Sequence, residues 1–415
     1  MFEPIRRPIN RVDNLRYLND TVTKLDNPLC RIFKKNKLED TLIGTLTTTR
    51  SSSATYVDMY GVLKTAAIGV PRQGSNGWLS EGASTNLLTY SNDFSNNVWT
   101  KANLTVVGNA TISPDGTLTA DKLVSDNVQG VRIATLIVAS VVSGTSYTAS
   151  VYLKPAGFSY ASIFLDSPHW SPIYAGATVT IDLTLATSDN DLIKVKKLNN
   201  GWIRVEITAQ SLSTGVIGTL SIVPKSSPSD NVNSVQGDGV SGIYVWGAQL
   251  EALPFASTYI PTTNTPITRA ADENSIQYNG NVPRGDQPFT IRFKGVINGY
   301  ANFNRIFSTE TAVHAKRLIA YMNSSGNILL NIGSDENQVA TSAITFGEVF
   351  EYIVTSDGVN YTSYLNGNFQ AESLVVNPPT ELSNELRVLC GHLLTNNSYG
   401  SCLTFEVFNR RIIWT

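Results

Sequence analysis

The sequence predicts an all-β protein made of two β-sandwich domains that follow a short N-terminal helical arm. Three observations carry this prediction. The 415 residues are 42% hydrophobic but only 15% charged, well under the roughly 25% charged share of typical soluble domains. Apolar residues alternate along many short segments, as in strands with one buried face. Gly, Pro, Asn and Ser cluster between these segments at turn spacing, which favours sandwiches over alternating βαβ units.

The N-terminal arm, residues 1–40, is the segment with helical periodicity. Its apolar positions follow the 3-4-3 spacing of an a/d seam: Leu15, Leu18, Val22 and Leu25. Pro28 prevents the helix from continuing. Two heptads are too short to hold an oligomer alone, so the helix either packs on its own domain or joins a bundle around a symmetry axis. The arm is rich in Lys and Arg, and it is either solvated or docks on an acidic neighbour.

Residues 41–85 are predicted to be a turn-rich connector with short strands, and residues 86–272 a first sandwich. Within that sandwich, residues 147–153 alternate and place one set of side chains on a common face: Tyr147, Ala149, Val151 and Leu153. Further strands are predicted at five segments: residues 161–166, 177–183, 202–208, 219–223 and 241–246.

The uncharged stretch 133–153 approaches the length of a membrane span. Ser143 and Gly144 interrupt it, and both halves are rich in Val, Thr, Ser and Tyr. We therefore predict two strands joined by a turn and no membrane insertion.

The second sandwich is predicted over residues 273–415, after the polar, proline-bearing stretch 261–266. Residues 318–322 and 328–332 flank a turn and predict a hairpin. A second hairpin is predicted at Asn366 and Gly367, because Asn-Gly between alternating runs is a strong hairpin signal. Two more strands are predicted at residues 289–293 and 403–408.

Charge and cysteine content exclude several classes of function. The net charge of −2 gives no global field that would draw the chain to nucleic acid or anionic membrane. Three cysteines, an odd count, argue against a disulfide framework: Cys30, Cys390 and Cys402. The histidines are isolated and no Cys-x-x-Cys pair exists, so we expect no zinc site and no other cofactor. No apolar segment follows Met1, so we expect no secretory signal.

Several segments resemble virion proteins of tailed bacteriophages. Residues 49–66 with 77–88 (GWLSEGASTNLL) are similar to a lead-in segment of phage tail and prophage proteins. Residues 91–123, with SNDF and PDGTLTADKL, resemble the opening of their carbohydrate-binding-like jelly-roll modules, and VWGAQLE at 245–251 resembles the closing strand. TRAAD at 268–272 resembles the tag that often follows that module.

The last 130 or so residues resemble a concanavalin A-like (laminin-G-like) sandwich, through the hairpin at Asn366 and Gly367 and the closing strand at 404–410. Together the resemblances imply a virion protein, homotrimeric assembly and attachment to host glycan. On this interpretation the arm docks on other phage structural proteins, and the two sandwiches bind host surface polysaccharide. The resemblance transfers no mapped sugar site.

The sequence carries no catalytic motif of the kinds that leave a local trace. The Glu-x-Asp-x-x-Glu pattern of concanavalin-like glucanases is absent, as are Gly-x-Ser-x-Gly, His-Glu-x-x-His and a P-loop. A glycoside hydrolase needs two carboxyl groups at a fixed separation, and no local motif holds such a pair. We therefore expect a protein that is not an enzyme.

A sugar site needs aromatic rings for pyranose faces and planar polar groups for hydroxyls. The densest local group of such residues lies around the segment 166–172: Tyr160, Asp166, His169, Trp170 and Tyr174. Trp170 is predicted on a loop, where it either contacts a ligand or caps the sandwich or a subunit contact, since tryptophan is usually largely buried.

Other aromatic and polar groups have simpler interpretations. Four tryptophans at strand-like positions are predicted to be core: Trp78, Trp99, Trp202 and Trp246. Three oxygen-bearing side chains have the donor chemistry of calcium ligands: Asn331, Asp335 and Asn337. Their setting is equally that of a turn, which we favour, so no metal site is predicted.

Two other functions remain open beside a tail fibre or tail-associated attachment protein. The same modules serve a capsid or tail decoration protein, or a head fibre, that binds virion proteins without sugar. A polysaccharide depolymerase is the third candidate.

Overall fold

The computed structural model describes residues 30–32, 46–74, 77–131, 133–138, 141–165, 170–171, 179–215, 218–231, 235–277, 285–300, 304–309, 318–333, 338–374, 385–389 and 398–408. Over these ranges the chain forms antiparallel sheets and one 3-10 turn, Asn199–Gly201, with no α-helix. The predicted all-β fold class is confirmed.

The strands are numbered in chain order. Seven precede the first sandwich: β1 (Cys30–Ile32), β2 (Leu46–Thr49), β3 (Ala54–Val57), β4 (Leu63–Ala66), β5 (Arg72–Gly74), β6 (Gly77–Ser80) and β7 (Ser84–Asn86). Fifteen follow up to residue 251: β8 (Trp99–Ala102), β9 (Leu104–Thr111), β10 (Ala120–Ser125), β11 (Gln129–Gly130), β12 (Ile133–Val138), β13 (Ser146–Ala156), β14 (Tyr160–Leu165), β15 (Trp170–Ser171), β16 (Ile181–Asp182), β17 (Thr187–Ser188), β18 (Ile193–Lys197), β19 (Ile203–Ser211), β20 (Gly218–Lys225), β21 (Val235–Gln236) and β22 (Gly242–Glu251). The remainder are β23 (Ile267–Arg269), β24 (Glu273–Gln277), β25 (Pro288–Gly299), β26 (Arg305–Ser308), β27 (Leu318–Met322), β28 (Asn327–Ile332), β29 (Gln338–Ala343), β30 (Val349–Asp357), β31 (Asn360–Leu365), β32 (Asn368–Leu374), β33 (Glu385–Val388) and β34 (Tyr399–Phe408).

The first sandwich packs two sheets around one core. The β13 sheet has the order β15-β19-β13-β22-β10-β9, with β18 also on β19, and the β14 sheet has the order β17-β16-β14-β20-β12-β8. The alternation of residues 147–153 is confirmed, because the four predicted side chains all lie in this core. The stretch 133–153 is confirmed as two strands. They lie in different sheets, β12 in the β14 sheet and β13 in its partner.

The second sandwich is built in the same way. The β25 sheet has the order β32-β31-β30-β25-β34-β6-β5, and the β26 sheet has the order β2-β24-β33-β26-β27-β28-β29. Both predicted hairpins are confirmed, β27 with β28 and β31 with β32. At the second, Asn366 (φ 50°) and Gly367 (φ 76°) are both left-handed, as a two-residue I′ turn requires.

N-terminal strands complete the second sandwich. β1 pairs with β34, β2 pairs with β24, and β6 pairs with β34. Strands from the arm and from the predicted connector therefore belong to the sheets of the second sandwich, and the first sandwich is inserted between its two parts. The helical residues predicted between Leu15 and Leu25 lie outside the described residues.

The four tryptophans predicted as core are buried, each 2% exposed or less. Trp99 lies in the first core and Trp78 in the second. Trp202 and Trp246 form a third cluster with Tyr152, Leu63 and their neighbours, on the outer face of the β13 sheet. The β3–β4 hairpin contributes Leu63 to this cluster, so the segment before the first sandwich also covers that sandwich's outer face.

Candidate functional site

A cleft of about 490 Å³ lies where the two sandwiches meet. The outer face of β18, β19 and β13 contributes its floor, and the turn after β3 forms one wall. Residues 255–259 and the second sandwich, through Asn298 and Ser401, line the remainder. Strands from both sandwiches thus position the side chains of one cavity.

The floor of the cleft is rich in cationic side chains. Lys194, Lys196 and Lys197 of β18 line it and are exposed. Lys194 lies directly opposite Glu206 of β19, and Lys196 lies opposite Arg204. Directly opposite residues share a face of a sheet, so these four side chains are neighbours on the floor.

Arg204 is the most deeply buried cation of the floor, only 8% exposed. Its Nη2 donates a hydrogen bond to Ser150 Oγ at 2.9 Å, and its guanidinium lies 5.5 Å from the centre of the Tyr152 ring. Its buried Nε has no hydrogen-bond partner among the described residues, and no ion pair of Arg204 is found within them. A buried hydrogen-bond donor without a partner lowers the stability of a protein by on the order of 1–3 kcal/mol.

Arg204 keeps its charge despite burial. Burial alone would lower the pKa of Arg204, but the neighbouring Tyr152 and the carboxylates of Glu206, Glu251 and Glu81 raise it above the ordinary value. The side chain is therefore a fixed cation at the base of the cleft.

A buried ion cluster underlies the cleft, and its Arg72 and Glu81 are hydrogen-bonded to Thr258, which follows β22 of the first sandwich. The cluster comprises five charged residues, each no more than 2% exposed: Arg50, Arg72, Glu81, Arg269 and Asp272. Asp272 bridges Arg50, at 2.7 Å, and Arg72. Glu81 accepts from Arg72 at 2.7 Å and lies 3.5 Å from Arg269. Each buried charge is thus compensated by at least one opposite charge, as burial requires.

The cleft-facing carboxylate of this cluster is held ionised. Burial would raise the pKa of Glu81, but the charges of Arg269 and Arg72 and a hydrogen bond from Thr258 lower it to about 2. A carboxyl with this pKa has no proton to donate near neutral pH, so Glu81 is unsuited to general acid catalysis.

The Glu81 pKa predicts a defined acid sensitivity. Because the folded-state value is depressed, Glu81 contributes stability above its unfolded pKa of about 4.5, and that contribution is lost as the pH falls towards about 2. Glu81→Gln should lower the denaturation midpoint at pH 7 and show a smaller further loss between pH 4.5 and 2. Equal acid losses in the two proteins, measured by denaturant titration at each pH, would contradict this assignment.

A second buried carboxylate, Glu251, is held by neutral donors. It accepts hydrogen bonds from Ser84 Oγ at 2.5 Å, from Gln249 Nε2 at 2.6 Å and from the Ser257 backbone N–H at 2.9 Å. Burial raises its pKa, although the bonds from Ser257 and Ser84 act in the opposite direction. These bonds fix segment 255–259, which forms one wall of the cleft.

The structure locates two of the five predicted sugar-site residues. Trp170 is 1% exposed and packs edge-on against Tyr147, with ring centroids 5.6 Å apart. It therefore occupies the core, which matches the alternative that it caps the sandwich. Tyr160 is half-buried at the start of β14, in the opposite sheet. Asp166, His169 and Tyr174 lie outside the described residues, so the predicted cluster stays a prediction.

Sequence reasoning missed the floor of the cleft. Charged residues at every second position, Lys194 and Lys196 in one strand and Arg204 and Glu206 in the next, carried the signal. Such a pattern is typical of any solvated sheet face, and only the pairing of β18 with β19 brings the four together.

The described part of the chain offers neither a metal-binding cluster nor a helix that could span a membrane. No group of three or more His, Cys, Asp or Glu side chains there is arranged to hold a metal ion. No helix within it has the length and apolar character needed to cross a membrane. Asn331 is buried in β28, whereas Asp335 and Asn337 lie outside the described residues.

Fold and cleft together define an all-β protein of two sandwiches with a cationic cleft between them. No protein-family model matches the sequence, and no curated protein matches it.

Similar solved structures are β-rich domains at low identity. They include the CBM40 module of the Ruminococcus gnavus IT-sialidase bound to α2,6-sialyllactose (11% identity, 31% of this chain and 79% of that chain, TM-score 0.27). A proposed carbohydrate-binding protein of Bacteroides ovatus is 12% identical, with 70% and 79% covered and a TM-score of 0.26. Domains LG4-5 of the mouse laminin α1 chain are 9% identical, with 81% and 93% covered and a TM-score of 0.24. Likeness at this level leaves the function to be argued from this chain's own residues.

Proposed function

We propose that this chain is a non-enzymatic virion protein of a tailed bacteriophage, a tail-fibre or tail-associated protein that attaches the particle to host surface glycan. The observation that carries glycan binding is the cleft between the sandwiches. It combines side-chain donors and acceptors from Lys194, Glu206 and Asn298 in a cavity of about 490 Å³. Pockets of this size with a few convergent polar groups are the usual sites of small ligands.

The virion assignment rests on the segments that resemble phage tail proteins. In the structure, residues from three of them lie in the same buried cluster: Arg50, Glu81 and Asp272, from segments 49–66, 77–88 and 268–272. The Glu81 backbone N–H donates to Asp272 at 2.9 Å across 191 residues of chain. This arrangement supports interpreting the segments as parts of one unit. Homotrimeric assembly, and docking of the arm on other phage structural proteins, belong to the same proposal.

The carboxylates of the cleft favour binding over hydrolysis. Glycoside hydrolysis uses an acid and a base or nucleophile. Glu81 is held ionised by arginines, and Asp58 accepts two backbone hydrogen bonds, from Tyr60 and Val62, in its own turn. Among the described residues that line the cleft, Glu206 is then the carboxylate left for catalysis. A depolymerase would shorten high-molecular-weight polysaccharide on incubation, and we expect the polymer length to stay unchanged.

A decoration protein is the second candidate, and one observation favours it. β32 ends the order of the β25 sheet in the described part of the chain, and it exposes Phe369 and Leu374, each 60%. Exposed apolar residues on an outer strand are suited to pairing with another protein.

The test combines electron cryo-microscopy of the intact particle with a glycan array. We expect density at the tail tip or baseplate, as a symmetric oligomer whose sandwiches project outward, and array binding by the purified protein. Density on the capsid lattice or tail tube, with the cleft covered and the array blank, would replace attachment with decoration.

A further inference from the structure

We propose that the cleft selects acidic glycans and that Arg204 holds the anionic group of the bound sugar. The inference rests on the proposed function, that the cleft binds glycan, and adds the chemical class of the ligand. Two kinds of ligand would present the same pair of anionic oxygens to Arg204. One is an acidic sugar, through its carboxylate, and the other is a phosphate-bearing glycan, through its phosphate.

The charges that line the cleft leave an excess of cations. Four are positive, from Lys194, Lys196, Lys197 and Arg204, and three are negative, from Asp58, Glu81 and Glu206. Glu81 is already neutralised by arginines of the ion cluster. Four positive charges therefore face two negative ones, a balance that attracts an anion.

Arg204 supplies a second, independent observation. It is more than nine-tenths buried, it lines the cleft, and its Nε has no hydrogen-bond partner among the described residues. Its packing against Tyr152 and its bond to Ser150 hold the guanidinium in one place. A planar guanidinium matches a carboxylate or phosphate through two parallel hydrogen bonds, so a bound anion would use the donor capacity that the protein leaves open.

The exposed lysines of β18 add further electrostatic attraction for an anionic glycan. Lys196 lies opposite Arg204, and Lys194 precedes Lys196 by two residues on the same strand. Their long side chains are exposed and follow the edge of the floor, which suits a polymer that carries repeated charges. Because these charges are solvated, their contribution should weaken as salt rises.

The experiment measures binding of the full chain to purified polysaccharides by calorimetry, using hyaluronan, a glycerol-phosphate teichoic acid and neutral dextran. We expect hyaluronan, teichoic acid or both to bind, and dextran to bind at least tenfold more weakly. Arg204→Met keeps an unbranched stem against Tyr152 but removes the charge, and it should weaken acidic binding by about tenfold or more. Arg204→Lys keeps the positive charge but lacks the planar guanidinium, so its affinity for the acidic polymers should be intermediate.

Lys64→Met is the matched control, since Lys64 is an exposed lysine of the neighbouring β4 that does not line the cleft. It should change affinity by less than about twofold, as expected for an exposed, salt-screened charge that does not line the cleft. Circular dichroism and thermal unfolding establish that each variant is folded.

Hyaluronan binding alone identifies the carboxylate as the recognised group, and teichoic acid binding alone identifies the phosphate. If dextran binds as well as the acidic polymers and Arg204→Met leaves affinity unchanged, acidic selection is wrong while glycan binding stands. If none of the three polymers binds and the glycan array is also blank, the proposed function fails and this inference fails with it.

Discussion

Replacing Asp272 by asparagine should destabilise the protein by about 3–5 kcal/mol, the usual cost of removing one partner from a buried ion pair. Asp272 accepts from Arg50 Nη1 at 2.7 Å, from Arg72 Nη2, and from the Glu81 backbone N–H at 2.9 Å. Asparagine has nearly the same shape but no charge, and its amide group would direct a donor at one of the two arginines. The measurement is the free energy of unfolding from denaturant titration, followed by tryptophan fluorescence.

Asp191→Asn provides the control for this substitution. Asp191 is exposed, so the same chemical change there should shift the free energy of unfolding by less than about 0.5 kcal/mol, as is usual for surface positions. If Asp272→Asn unfolds at the same denaturant concentration as Asp191→Asn, the buried ion cluster does not stabilise the fold.

Local patterns predicted much of the fold because their physical causes are local. The alternation at 147–153 fixed the buried face of β13, since a strand side chain can reach only one of two faces. Asn366 and Gly367 predicted their hairpin because both positions need a positive φ, which these residue types tolerate. The burial of Trp78 and Trp246 followed from size and apolar character.

What the sequence left open depends on pairing between distant residues. No local pattern signals that Leu46–Thr49 pairs with Glu273–Gln277, or that Gly77–Ser80 pairs with the strand at Tyr399–Phe408. The same holds for the cleft, where the register of β18 on β19 brings Lys196 opposite Arg204. At Trp170 the local pattern was misleading. The flanking Pro and Ser predicted a loop, but Trp170 lies in a short strand that pairs with β19, and its ring is buried.

A fragment of residues 273–415, the second sandwich with the boundaries predicted from the sequence, should fail to fold on its own. It lacks β1 and β6, which pair with β34, and β2, which pairs with β24. It also lacks Trp78, which is 1% exposed in the core of this sandwich. Strand edges that lose their partners expose backbone groups that drive aggregation. We expect little soluble protein, and no cooperative unfolding transition in what remains.

A fragment of residues 84–262 is the comparison for the 273–415 fragment. It contains every strand of the β13 and β14 sheets, because these strands lie between residues 99 and 251. It should fold cooperatively, with reduced stability, since it loses the β3–β4 hairpin that covers Trp202 and Trp246. A cooperatively folding 273–415 fragment would mean that the N-terminal strands are accessory to the second sandwich. Failure of that fragment beside a folded 84–262 fragment would mean that the first sandwich is an insertion into the second, and that the cleft between them depends on one continuous chain.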